Sequence, residues 1–84
     1  MKHTCPVCGW PELHEPPRRE SGGASFEICP CCGFEFGFDD DDQGRTYKQA
    51  RARWIDGGMT WWSTSRPAPP GWHPAPQLAR AGLT

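Results

Sequence analysis

The sequence predicts a small metal-stabilised α+β domain, namely a zinc ribbon of short antiparallel strands with one packed helix and a proline-rich C-terminal tail. Three features predict it: two paired-cysteine motifs, alternating aromatic residues beside the second motif, and a capped segment with helical spacing. Only 36% of the 84 residues are hydrophobic, while ten are glycine and ten are proline. A core this small rarely stabilises a fold alone, so the chain needs a metal or disulfide cross-link.

The two cysteine motifs share the pattern Cys-Pro-x-Cys-Gly, at residues 5–9 (the first knuckle) and 29–33 (the second knuckle), with twenty residues between Cys8 and Cys29. Two thiols three positions apart on a tight turn face one point, where proline stiffens the turn and glycine accepts the backbone conformation that follows. This spacing is typical of a tetrahedral four-cysteine site. We therefore predict one metal ion with the ligands Cys5, Cys8, Cys29 and Cys32.

Two alternatives concern this site. Using Cys31 in place of Cys32 would break the register that the knuckles share, so Cys31 is the spare thiol, either a small side chain beside the site or a redox-responsive group. Four thiolates leave zinc no open position, which favours a structural over a catalytic ion. Iron is the alternative to zinc, because two such knuckles also describe rubredoxin, a one-electron carrier.

Short strands are predicted on both sides of the knuckles. Residues 10–13 begin a strand after the first knuckle. Residues 26–28 and 34–38 flank the second knuckle and alternate apolar with polar or small residues. This period of two predicts strands whose aromatic side faces inward.

A helix is predicted over about residues 47–56. Thr46 with Gln49 three positions later forms a capping box before it, and Gly57-Gly58 closes it. The acidic run at 39–42 precedes this helix, where negative charge suits the helix dipole. One face of the helix carries Tyr47, Ala50, Arg51, Trp54 and Gly58.

The domain is expected to end near residue 64. Residues 1–64 form the zinc-ribbon domain with its helix, and residues 65–84 form a proline-rich tail, extended or disordered unless Trp72 docks. Removing the tail is then expected to cost little stability. Trp54, Trp61 and Trp62 are expected to close the core, but neighbouring residues of an extended segment face opposite sides, so one of the last two is exposed.

Charge and composition argue against several functions. The net charge of −1 is low for a nucleic-acid-binding domain. Four cations lie on or beside the helix, and we interpret them chiefly as offsetting the preceding aspartates: Arg45, Lys48, Arg51 and Arg53. The sequence shows no nucleophile paired with a base, no phosphate loop and no membrane-spanning segment. Five cysteines are an odd number for a disulfide framework, so we expect a reduced, cytoplasmic protein.

One combination of motifs resembles a known family. The run Phe-Glu-Ile-Cys-Pro-Cys-Cys-Gly-Phe-Glu at residues 26–35, followed by acidic residues and a Tyr-x-x-Ala-Arg-x-x-Trp helix at 47–54, is similar to the bacterial cysteine-rich CPCC family of small zinc-ribbon proteins. The similarity covers about residues 5–58. It implies the four knuckle cysteines as metal ligands and no catalytic residue. In that family the Cys-Pro-Cys-Cys run opens the domain, whereas here it lies in the second knuckle.

These observations favour a non-enzymatic zinc-binding protein with no catalytic residues. We expect a structural zinc site that supports a protein-binding surface of exposed aromatics around Trp61, Trp62 and Trp72. A nucleic-acid-binding adaptor that uses the helix cations is the second hypothesis. A rubredoxin-like iron electron carrier is the third.

Overall fold

Two helices, α1 (Tyr47–Asp56) and α2 (Pro74–Arg80), are the regular elements of a computed structural model that describes residues 2–83. The rest of that range consists of turns and extended segments wrapped around the cysteines and a group of aromatic side chains. The radius of gyration is 12.1 Å. Neither helix is long and apolar enough to cross a lipid bilayer, and the described residues contain no other helix.

Within the described part of the chain, the predicted short antiparallel strands are not formed. Antiparallel pairing occurs there only as isolated bridges, so the prediction of a sheet is wrong in its extent. Pairing between residues 2 and 83 is limited to three separate antiparallel bridges: His3 with Leu13, Arg18 with Ala24, and Ile28 with Glu35. A physical reason lies in the turns. The second bridge closes around the tight turn at residues 19–23, and a run of turns begins at residue 36, immediately after the third. The chain therefore reverses before a ladder can extend.

The inward aromatic face is confirmed only at its centre. Phe34 and Phe36 are buried, but Phe38 is 45% exposed and Phe26 is 67% exposed. Phe26 has a φ of 61°, a left-handed conformation that bulky residues rarely adopt. Its ring lies against Gly37, where an added Cβ would come within 2.6 Å of the ring. The alternation predicted for residues 26–28 is therefore interrupted by the backbone itself.

Helix α1 forms where the sequence predicts it. The capping box is present, because Gln49 N–H donates to Thr46 Oγ1 and Thr46 N–H donates to Gln49 Oε1, each at 3.0 Å. Four residues of the predicted face are buried or partly buried, whereas Gly58 lies beyond the end of the helix and is exposed. Tyr47 meets Phe34 edge to face at 5.6 Å between ring centroids, and Trp54 is buried. The helix is thus held by its N-terminal cap and by one aromatic side.

The predicted extended or disordered tail is wrong for the segment that forms α2. Pro74 occupies the first turn, where a missing N–H costs nothing, so the prolines begin this helix instead of preventing it. Leu78 and Gln77 are 3% exposed, and Trp72 packs edge to face on Trp61 at 5.4 Å. The tail is ordered by these contacts with the core, which local composition does not reveal.

Candidate metal centre

The two knuckles have nearly identical backbones. The glycine N–H of each donates to the carbonyl of its first cysteine, Gly9 to Cys5 at 2.9 Å and Gly33 to Cys29 at 2.8 Å. Both glycines have positive φ, 86° and 79°, which glycine adopts without steric cost. The glycine of each motif is therefore required by the turn that aims the paired sulfurs.

The four cysteines predicted from the shared register come together. Their Sγ atoms lie within 4.8 Å of one another, with 3.9 Å between Cys5 and Cys32 and 3.7 Å between Cys8 and Cys29. Sulfurs about 2.3 Å from a tetrahedral zinc ion would lie about 3.8 Å apart. Three of the cysteines are buried and Cys32 is partly exposed. The cluster is placed to hold a metal ion.

The electrostatics of the cluster suit a cation. Hydrogen bonds within it, first of all with Cys29, lower the pKa of Cys5 and raise the pKa of Cys8 and Cys32. A divalent cation binds the thiolate form, so an ion held by this cluster would favour loss of the remaining thiol protons. The backbone N–H of Val7 also points at Cys5 Sγ, at 3.4 Å, and would spread thiolate charge.

The first knuckle is held from outside by two side chains. Arg51 of α1 donates from Nε to the Val7 carbonyl at 2.9 Å and from a terminal nitrogen to the Pro6 carbonyl at 2.8 Å. Gln77 of α2 donates from Nε2 to the Cys8 carbonyl at 2.9 Å. Sequence analysis did not predict this role of Arg51. Its place on the same helix face as Tyr47 and Trp54 indicated that it points inward, but its partners lie more than forty residues away along the chain.

The second knuckle is held by backbone. The N–H groups of Trp62 and Ser63 donate to the carbonyls of Cys31 and Pro30, each at 2.9 Å. The indole of Trp62 covers Gly33, where an added Cβ would lie 2.5 Å from the ring. Trp62 is nevertheless 53% exposed, while Trp61 is partly buried against Trp10, as expected for neighbours that face opposite sides.

The spare cysteine lies beside the cluster of four without being part of it, and its side-chain contact with Cys8 lowers the pKa of Cys31. Cys31 is fully buried, and its Sγ accepts a hydrogen bond from Gln77 Nε2 at 3.4 Å. Cys32, in contrast, lines an open cleft of about 240 Å³ with Arg45, Arg53 and Trp54. The two neighbouring thiols thus occupy different environments, one sealed under α2 and one beside solvent.

Comparison with known proteins gives relatives without an assigned activity. The chain is 31% identical to the uncharacterized protein YoaQ of Bacillus subtilis, over 68% of this chain and 60% of that protein. It is equally similar, with the same coverage, to the uncharacterized protein YozI of Bacillus subtilis. The chain therefore spans about 60% of the length of these relatives. No family model matches the chain, and no solved structure matches it.

Proposed function

We propose that the protein is a non-enzymatic zinc-binding module in which one structural zinc ion supports a protein-binding surface. The observation that carries the proposal is the convergence of Cys5, Cys8, Cys29 and Cys32 within 4.8 Å. All four positions of a tetrahedral ion are then filled by thiolates, which leaves no site for a reacting water. A reducing, cytoplasmic setting and membership of the CPCC family belong to the same proposal.

Zinc is proposed over iron because closed four-cysteine sites in small domains most often hold structural zinc. Elemental analysis of the purified chain tests this directly, together with the absorption spectrum. One zinc per chain and no visible colour are the expected results. One iron per chain with visible absorption would replace the proposal by an electron carrier, and protein without metal under reducing conditions would overturn it.

The surface proposed for a partner centres on Trp62. Its ring is half exposed while its backbone is bonded to the second knuckle, so the aromatic group is presented at low entropic cost. Rigid, exposed tryptophans are frequent anchors of protein interfaces. Trp61 and Trp72 contribute less than the sequence suggested, because they pack on each other and are partly buried.

Nucleic acid is the less supported partner because two of the four helix cations have internal partners. Arg51 bonds carbonyls of the first knuckle, and Arg45 lies 3.6 Å from Asp39. A photo-crosslinking residue at position 62, compared with one at the exposed position 48, tests the choice in cells that make the protein. A discrete protein adduct from position 62 alone is expected. Oligonucleotide binding with strong salt dependence would favour the adaptor instead.

A further inference from the structure

One side chain joins the C-terminal helix to both knuckles. The Nε2 group of Gln77 donates to the Cys8 carbonyl in the first knuckle at 2.9 Å and to Cys31 Sγ in the second at 3.4 Å. Its Oε1 accepts from the indole N–H of Trp72 at 2.8 Å. Gln77 is 3% exposed. The whole amide is therefore used inside the protein, and its two acceptors belong to segments that the metal site holds together.

Helix α2 is short and needs contacts with the rest of the protein for its order. It has seven residues and no side-chain cap at its N-terminus. Helices shorter than about 12 residues are marginal in water without tertiary packing. The packing comes from Leu78, Gln77 and Ala81. Ala81 lies so close to Gly9 that a Cβ at position 9 would come within 2.9 Å of the Ala81 Cβ. Since α2 sits directly on the first knuckle, it should follow the state of that knuckle.

We propose that metal binding and docking of α2 are coupled through Gln77, which acts as a positioning residue of the metal centre. This inference rests on the proposed zinc site. The ion fixes the spacing between the knuckles and so brings the Cys8 carbonyl and Cys31 Sγ within reach of one amide nitrogen. Coupling between two equilibria is reciprocal, so the docked helix also raises the affinity for the ion.

The coupling has a consequence for the fifth thiol. Cys31 is fully buried while Gln77 lies over it, so a docked α2 protects this thiol from reagents in solution. Undocking uncovers Cys31 while the other four cysteines stay on the metal. The accessibility of the Cys31 thiol therefore depends on whether α2 is docked.

The test measures zinc affinity of the full-length chain by competition with a chromogenic chelator. Gln77→Met removes the amide and keeps an apolar side chain of similar length, while Gln77→Glu keeps an acceptor for Trp72 and loses both N–H donors. Arg80→Ala, at an exposed position of the same helix, is the matched control. We expect both Gln77 variants to bind zinc about 10–100-fold more weakly and Arg80→Ala to bind as the wild type does.

A second measurement distinguishes two roles of Gln77: positioning the metal centre, or only holding α2 in place. Alkylation of Cys31 in zinc-loaded protein, followed by peptide mass spectrometry, should be slow in the wild type and faster in both Gln77 variants. If alkylation becomes faster while zinc affinity is unchanged, Gln77 only supports the tail and the coupling is overturned. If neither quantity changes, it is also overturned. A wild-type chain that binds no zinc would instead remove the proposed function on which the coupling rests.

Discussion

The two knuckles have the same backbone but different supports. The first is held by side chains, Arg51 on the Pro6 and Val7 carbonyls and Gln77 on the Cys8 carbonyl. The second is held by the backbone N–H groups of residues 62 and 63. The turn that aims each pair of sulfurs is therefore a local property of the motif, whereas different contacts stabilise each copy.

This difference predicts different sensitivity to mutation. A bond from a backbone N–H survives most side-chain changes, while a bond from Arg51 or Gln77 is lost with a single substitution. The first knuckle should be fragile toward changes in α1 and α2, which lie 44 to 69 residues away along the chain. The second should tolerate side-chain changes at residues 62 and 63 better.

The largest expected effect is loss of a cysteine of the cluster, which should be equally damaging in either knuckle. Cys5→Ser and Cys29→Ser should each unfold the domain, because structural zinc sites contribute about 10–16 kcal/mol and the apolar core is small. Loss of chemical-shift dispersion in NMR spectra checks this. Cys31→Ser is the matched control and should keep one zinc per chain. A well-dispersed spectrum from either ligand variant would show that the fold does not need the site.

Removing the chain after Ser65 should affect the first knuckle more than the second. The truncation deletes α2 from the first and leaves Trp62 and Ser63 on the second. Losing buried Leu78 and Gln77 and the Trp72 contact should lower stability by about 3–5 kcal/mol, as large core truncations do. Thermal unfolding in the presence of zinc measures it. An unchanged melting temperature would support the detached tail expected from composition.

Alanine at the two glycines should reveal what covers each knuckle. Both substitutions strain a positive φ. The new Cβ at Gly9 would lie 2.9 Å from the backbone oxygen of Gln77, whereas at Gly33 it would lie 2.5 Å from the ring of Trp62, a side chain that is 53% exposed and has solvent on one side. We expect Gly9→Ala to cost about 2–4 kcal/mol and Gly33→Ala about 1–2. Chemical denaturation measures both, and equal costs would contradict the different supports.

The last prediction concerns the hydrogen bonds from Arg51 to the first knuckle. Arg51→Ala removes two charge-assisted hydrogen bonds to the first knuckle and should cost about 1–3 kcal/mol. Arg53→Ala, at an exposed position of the same helix, should change stability by less than about 0.5 kcal/mol. Denaturation of the two variants side by side is the measurement. If both cost the same, Arg51 acts only through net charge.

Several features could be predicted from the sequence because neighbouring residues produce them. The knuckle register selects Cys32 over Cys31 for the cluster, and the Thr46–Gln49 capping box marks where α1 begins. Turn glycines, caps and helical faces depend on interactions within a few positions of the chain. For the same reason, the exposure of one of the paired tryptophans follows from strand geometry alone.

Tertiary structure decided the rest. Whether residues 26–38 form strands depended on a left-handed Phe26 and on turns that stop the pairing after single bridges. Whether the proline-rich tail is ordered depended on distant contacts, namely buried Leu78, Trp72 on Trp61, and Gln77 on the Cys8 carbonyl 69 positions away. The sequence by itself determined which four cysteines form the cluster and where α1 begins and ends, because both follow from local spacing. Only packing determined which groups hold each knuckle, side chains on the first and backbone N–H groups on the second, because such contacts join segments whose spacing no local pattern encodes.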